Sequence, residues 1–298
     1  MISAPHGGCI QEITIAGARD TFTVLPCAAE QPRVPVHTVF REGLLQEPLD
    51  AYVARDPSPL PITADREGYQ GDRHFDWWCS GLGDSLAVAQ AGARWNVRLD
   101  PGARVLELGC ASGRVLRHFA TQFNGLDVWG TDISLRHAEW VRLHLPPQIK
   151  VFQNTTLPHL PLEDNSCAMV CAFSVFTHID ELELAWLAEI RRILRPGGIA
   201  YLTIHSDSTW RQMKPGWPIY DALLNGKAQI ADYPVTADFL GGPLPREKTV
   251  FRWSSGKNYN TNVFHTENYI RTAWGRLFGV REIIPAGHSY QDVVVLQK

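Results

Sequence analysis

The chain has 298 residues, 45% of them hydrophobic, with 28 Lys+Arg against 31 Asp+Glu and a formal net charge of −3. That length supports one substantial core with an appended module, and the charge balance disfavours binding to a nucleic-acid backbone. No apolar run is long enough to span a bilayer, and Met1 to His6 lack the basic and apolar regions of a secretory leader.

The cysteines, Cys9, Cys27, Cys79, Cys110, Cys167 and Cys171, form no C-x-x-C pair. Reduced thiols in a cytoplasmic protein are expected, with no metal site. Residues 1–98 read as an N-terminal extension. Strands over Cys9–Ile15 and Thr21–Leu25 make a predicted hairpin around 16–20. Prolines 26, 32, 35, 48, 57, 59 and 61 then impose an extended, wrapping path. Asp84-Ser85 can cap a helix to about Trp95. The cluster His74-Phe75-Asp76-Trp77-Trp78 ahead of it either lines the mouth of a site or fills core.

Asp100-Pro101-Gly102 is a turn, which sets a boundary near residue 98. From there strands are predicted near 103–108, 127–132, 149–153, 167–174 and 198–205, with helices near 112–123, 134–144 and 180–194. That alternation calls for a parallel sheet with helices on both faces. The helix over 180–194 places Leu184, Leu187, Ile190, Ile193 and Leu194 on one face and its charges in solvent. Residues 206–262, rich in Pro, Gly and aromatics, read as a long lid insertion. A helix from His265 to Phe278 precedes strands at 280–284 and 292–296, separated by Pro285–Ser289.

The stretch Val105 to Phe119 organises the rest, reading as strand, glycine turn and helix. Gly109 and Gly113 let the backbone approach a ligand, and N–H groups opening the following helix bind polar or anionic groups. The spacing is G-x-x-x-G, with Ala111 where a dinucleotide fingerprint has its second glycine. Glu107 would repel a pyrophosphate yet welcome an amino group. Asp132 ends the next strand, about twenty residues on, placed for a ribose diol. Loop, acid and spacing suit a nucleoside joined to an amino acid, as in S-adenosylmethionine.

On these residues the chain resembles the class I S-adenosylmethionine-dependent methyltransferases. Glu107 to Gly113 is similar to their first motif and Gly130-Thr-Asp132-Ile-Ser134 to their ribose-binding strand. Ser174-Val-Phe-Thr-His178 is similar to the segment after their fourth strand, and Leu194-Arg-Pro-Gly-Gly198 to the turn before their fifth. The resemblance spans roughly residues 99–298. It implies an α/β, Rossmann-like seven-stranded sheet, with the N-terminal extension and the lid as additions. It also implies S-adenosylmethionine contacts at Glu107, Gly109, Cys110, Ala111, Gly113, Asp132, Ile133, Asn154, Thr155, Phe173 and Ser174. Two departures stand out: Asn154-Thr155 replaces an Asp that reads adenine, and Cys167-Ala168 replaces Phe-Asp in the fourth strand.

His178, in the loop after the fourth strand, and His205, ending the fifth, are the candidates for a general base. Trp78, Trp210, Tyr259, His265 and His288 are candidate acceptor contacts. The motif run is similar to bacterial methyltransferases of glycans and secondary metabolites, which implies transfer to oxygen or nitrogen of a metabolite, natural product or sugar-containing acceptor. Two other readings stay open: an NAD(P)-dependent oxidoreductase on a Rossmann fold, and a non-catalytic S-adenosylmethionine-binding scaffold. A homodimer through the N-terminal wrap is compatible with the sequence, which does not demand one.

Overall fold

Alternating apolar runs and amphipathic stretches fold as the strand–helix pattern requires. The computed structural model describes residues 22–33, 40, 43–225, 228–230, 233–252 and 260–298. They belong to two units, Met1–Thr156 with Ser166–Cys171, and Leu157–Asn165 with Ala172–Lys298.

In the first unit, β1 (Val24–Leu25) pairs antiparallel with β2 (Leu60–Pro61), and α1 (Leu49–Ala54) lies between them in sequence. The first arm of the predicted hairpin lies outside the described residues. Helix α2 runs from His74 to Arg94. It therefore starts ten residues before the expected Asp84-Ser85 cap, which corrects that prediction. The cause is packing: Phe75, Trp77, Trp78 and Leu82 of α2 join Tyr52, Val53 and Leu60 in one buried cluster, and that burial outweighs the helix cost of Gly81 and Gly83. The aromatics ahead of residue 84 are thus core. Gly81 is required where it stands, since a Cβ there would lie 1.9 Å from the backbone oxygen of Arg114.

The parallel sheet of this unit contains β3 (Arg104–Leu108), β4 (Asp127–Asp132), β5 (Lys150–Gln153) and β6 (Cys167–Ala172), in the order β5-β4-β3-β6. Helices α3 (Leu116–Gln122) and α4 (Leu135–His144) make the crossovers. Arg117 of α3, fully buried, bonds both oxygens of Asp56 and the carbonyls of Ser58 and Pro59. Trp78 donates its indole N–H to the same carboxylate at 2.7 Å. Burial raises the Asp56 pKa, but the charge and hydrogen bonds of Arg117 outweigh it and hold the group at about 2.

The second unit opens with α5 (Glu183–Ile193) and the long strand β7 (Leu194–Ser206). Strand β13 (Gln291–Gln297) runs antiparallel to β7 and carries β12 (Gly279–His288) on its other side, so the closing hairpin forms as expected. Residues 285–288 continue β12 through a bulge rather than separating two strands. The region 206–262 folds into α6 (Asp207–Trp210), α7 (Pro218–Asn225), α8 (Ala237–Leu240) and strands β8 (Gln229–Ile230), β9 (Tyr233–Pro234), β10 (Lys248–Arg252) and β11 (Thr261–His265). Strand β11 pairs in parallel with the end of β7. The last predicted helix is shorter, α9 (Glu267–Ala273), because His265 is still in β11.

The expected face of α5 holds for Leu187, Ile190 and Ile193, while Leu184 is exposed. Its charges correct the expectation more sharply. Glu183 is buried and accepts from Lys248 Nζ at 2.7 Å, His265 Nε2 at 2.8 Å and Trp274 Nε1 at 2.5 Å. Burial raises its pKa, yet the bonds and charges of His265 and Lys248 bring it down to about 2. Among the described residues no helix is long and apolar enough to cross a membrane.

Candidate functional site

The first unit's sheet reverses its winding at β3. The chain steps outward from β3 to β4 and β5, then returns to place β6 on the opposite side of β3. Ligands of parallel sheets bind beyond the carboxyl ends of strands at such a reversal.

Glu107, near the end of β3, stands between Gly130 of β4 and Cys171 of β6. It is buried, and its Oε2 has no hydrogen-bond partner within the protein. Burial drives its pKa up to about 8 against the opposing charge of Arg114. Arg114 is itself paired with Asp84 of α2 at 2.5 Å, which leaves the carboxyl of Glu107 without a direct ion pair.

The turn after β3 needs left-handed backbone. Gly109 has φ +74° and Gly113 +78°, and even Ala111 is held at +44°. At Gly113 a Cβ would also lie 2.4 Å from Leu145 Cδ1, so a side chain is excluded twice over. The turn is tied to β4: the N–H groups of Gly109 and Cys110 donate to the Thr131 carbonyl at 2.7 and 3.0 Å. Ala111 N–H donates to Asp132 Oδ2 and Ser134 N–H to Oδ1, both at 2.8 Å. Asp132 thus clamps the glycine turn to the start of α4; His137 Nδ1 lies 3.5 Å from Oδ1, and Oδ2 retains an acceptor position. Ser112 Oγ beside it is buried without a partner.

These residues fit the cofactor expected from sequence. A buried carboxyl with one bare oxygen, its other bonded by the Leu116 N–H, answers an ammonium; a turn with glycine at 109 and 113 admits the chain of the ligand, and Asp132 answers a diol. Ile133 is half-buried next to the acid, and Cys110 is buried. The Asn154 carbonyl already accepts from the Thr131 hydroxyl at 3.0 Å, and its amide donates to the Thr155 carbonyl at 2.9 Å. Asn154 therefore has one lone pair left for an adenine amino group.

The remaining candidates belong to the second unit. Ser174, at φ +57°, donates its N–H to Thr203 Oγ1 at 2.7 Å and exchanges a side-chain hydrogen bond with Gln291. Phe173 packs against Tyr201 and against the ring of His288, with centroids 5.8 and 5.1 Å apart. His178 Nδ1 donates to the Thr261 carbonyl at 2.6 Å, which leaves the lone pair of the neutral ring on Nε2. Burial lowers its pKa, opposed by that carbonyl, so the ring is neutral near pH 7. His205 is buried, and burial, aided by the charges of His178 and His265, holds its pKa well below the usual value.

Three of the expected acceptor contacts prove to be core. Trp78 is fully covered and committed to Asp56. Trp210 stacks on Phe251 and donates its indole N–H to the Gly242 carbonyl. His265 is fully buried against Glu183. Large rings and a histidine with a carboxylate partner are as easily structural as functional, and composition does not separate the two. Tyr259 lies outside the described residues. Arg114, whose charge acts on Glu107, and Gln291, which bonds Ser174, escaped the sequence reading. Only Arg114 left a signal there, as a cation directly after the glycine turn.

Residues 106–202 match the family described as a methyltransferase domain. Among curated proteins the chain is similar to a sterol 24-C-methyltransferase of Schizosaccharomyces pombe, 30% identical over 139 residues, covering 44% of this chain and 36% of that protein. It is also similar to a ubiquinone/menaquinone biosynthesis C-methyltransferase of Cupriavidus pinatubonensis, 31% identical over 141 residues and covering 45% and 54%. The chain spans about half the length, or less, of such relatives. Among solved structures, the 1,6-didemethyltoxoflavin-N1-methyltransferase of Burkholderia thailandensis aligns over 94% of this chain and 97% of its own, at 14% identity and a TM-score of 0.47.

Proposed function

We propose that this chain, whose residues 106–202 match a methyltransferase-domain family, is a class I S-adenosylmethionine-dependent methyltransferase that methylates an oxygen or nitrogen of a small-molecule acceptor. The observation that carries the reading is Glu107. It is a buried carboxyl with a bare Oε2 at the head of a glycine turn that Asp132 holds in place.

In this reading Glu107 takes the cofactor's ammonium, Gly109 to Gly113 make room for its amino-acid chain, and Asp132 accepts from the ribose hydroxyls. Ile133 packs on the adenine, with Asn154 and Thr155 at its edge. Phe173 and Ser174 complete the cofactor contacts. The bound cofactor supplies an electrophilic methyl group on a sulfonium. The enzyme's own work is alignment of the acceptor with that methyl and exclusion of water. His178 serves as base for a hydroxyl or amine, since its Nδ1–H is fixed and its ring is neutral. The lid region 206–262 and His288 select the acceptor. Cys27, Cys79, Cys110, Cys167 and Cys171 stand outside any disulfide, which suits a cytoplasmic location.

A second reading, methylation at carbon, is favoured by the names of the two curated relatives above. Stabilisation of the full chain by S-adenosylhomocysteine and not by NAD(P) is expected in thermal unfolding. The reverse order would remove the assignment. Mass spectrometry of products from an acceptor panel then decides between heteroatom and carbon.

A further inference from the structure

Helix α2 lies flush against the backbone just after the glycine turn. Gly81 makes the approach possible, since a Cβ there would strike the carbonyl oxygen of Arg114. Ser80 and Asp84, four residues apart and so on one face of α2, both accept from Arg114 Nη1, at 3.3 and 2.5 Å. The guanidinium also lies over the ring of Tyr69, 5.9 Å from its centroid. The side chains of Arg114 and Asp84 are largely covered, at 11% and 12% exposure.

Two carboxyls act on this covered cation. Burial opposes the charge of Arg114, and Asp84 above all, with smaller shares from Tyr69 and Glu107, outweighs it. At Glu107 burial raises the pKa, Arg114 lowers it, Asp84 and Asp132 raise it, and the Leu116 N–H bonds one oxygen. The direct ion pair goes to Asp84, and Glu107 Oε2 has no hydrogen-bond partner among the described residues. Asp132 is already engaged by the Ala111 and Ser134 N–H groups. Deleting one member of a covered pair leaves the other charge uncompensated, and for Arg114 the next carboxyl to turn to is Glu107. A guanidinium closing on Oε2 would compete with a ligand ammonium for that oxygen and repel it.

We propose that Asp84 is a positioning residue for the cofactor: it holds the Arg114 guanidinium against α2 and off the bare oxygen of Glu107, which keeps that oxygen for the ligand's ammonium. The inference rests on the ammonium role given above to Glu107, and it brings α2 of the N-terminal extension into the cofactor site.

The test is isothermal titration of the full chain with S-adenosylhomocysteine near pH 8. Asp84→Asn should weaken binding by about tenfold or more. Asp84→Asn/Arg114→Gln, which removes the cation as well, should return affinity to within roughly threefold of wild type. An Asp84→Asn affinity equal to wild type overturns the inference. So does a double variant as weak as the single one, because the loss then comes from a disturbed helix and not from a freed cation. Thermal unfolding reports whether each variant folds, and Arg114→Gln alone reads the arrangement should Asp84→Asn fail to fold. Without the charge that lowers the Glu107 pKa, its affinity should rise at higher pH than in wild type and match wild type by pH 9. A deficit that persists at pH 9 would make Arg114 a direct contact of the ligand and overturn the inference. Failure of the wild-type chain to bind S-adenosylhomocysteine would take down the proposed function itself, whereas wild-type binding that is indifferent to Asp84→Asn takes down only the role of Asp84.

Discussion

Replacing Asp132 by Asn tests the centre of the reading, because the geometry gives the substitution a defined cost. The two carboxylate oxygens accept separate backbone N–H groups, from Ala111 and Ser134, both at 2.8 Å. An amide of the same shape keeps one oxygen and turns an NH2 toward the other donor. One charge-assisted bond, worth about 1.5–3 kcal/mol, is therefore replaced by two donors facing each other. The cofactor loses an acceptor for its ribose as well, a further deficit of about 1.5–3 kcal/mol, or roughly 10- to 150-fold in affinity. Isothermal titration with S-adenosylhomocysteine measures the affinity, and thermal unfolding without ligand measures the loosening of the turn. Affinity within twofold of wild type, alongside a lowered midpoint, would refute the ribose role and leave Asp132 as a clamp only.

Two other predictions follow from buried charge. Glu107 has a folded pKa of about 8 against an ordinary 4.5, so the ligand-free fold holds the proton more tightly than the unfolded chain does. Its contribution to stability is complete below about pH 4.5 and is lost as pH rises to about 8, at up to about 1.4 kcal/mol per pH unit. An ammonium ligand needs the ionised form, so S-adenosylhomocysteine affinity should climb between pH 6 and 8 in wild type. The same titration should be flatter in Glu107→Gln, and equal slopes would remove the ammonium contact. In the core, Arg117→Met strands the Asp56 carboxylate and should cost about 3–5 kcal/mol in denaturant unfolding at pH 7. Because Arg117 is the largest influence holding Asp56 at about 2, that loss should shrink as pH falls and the stranded acid protonates. A constant deficit from pH 7 to 4 would contradict the pairing.

The local signals in the chain were those in which chemistry and backbone conformation coincide. Gly109, Gly113 and Asp132 could be placed from sequence because φ values near +75° exclude most side chains and because a strand-end acid has a fixed distance from the preceding turn. Strands β3 to β7 were legible for the same reason, as apolar runs between helical periods. Other features depend on pairings far apart in the chain. The start of α2 at His74 is set by an aromatic core shared with Tyr52 and Leu60, which a cap at Asp84-Ser85 could not reveal. Glu183, read as a solvated charge, is buried because Lys248, His265 and Trp274 converge on it from more than sixty residues away.

Sequence by itself thus determined the class of sheet and the cofactor-type turn, since both are written in periods and spacings of a few residues. Tertiary structure alone decided which rings and histidines are core and which polar atoms are left bare. Trp78 and Trp210 are committed to partners distant in the chain and His265 gives its Nε2 to Glu183, whereas neither ring nitrogen of His205 has a partner among the described residues. Burial and hydrogen-bond satisfaction belong to the folded arrangement of all the strands together, and no single stretch of residues encodes them.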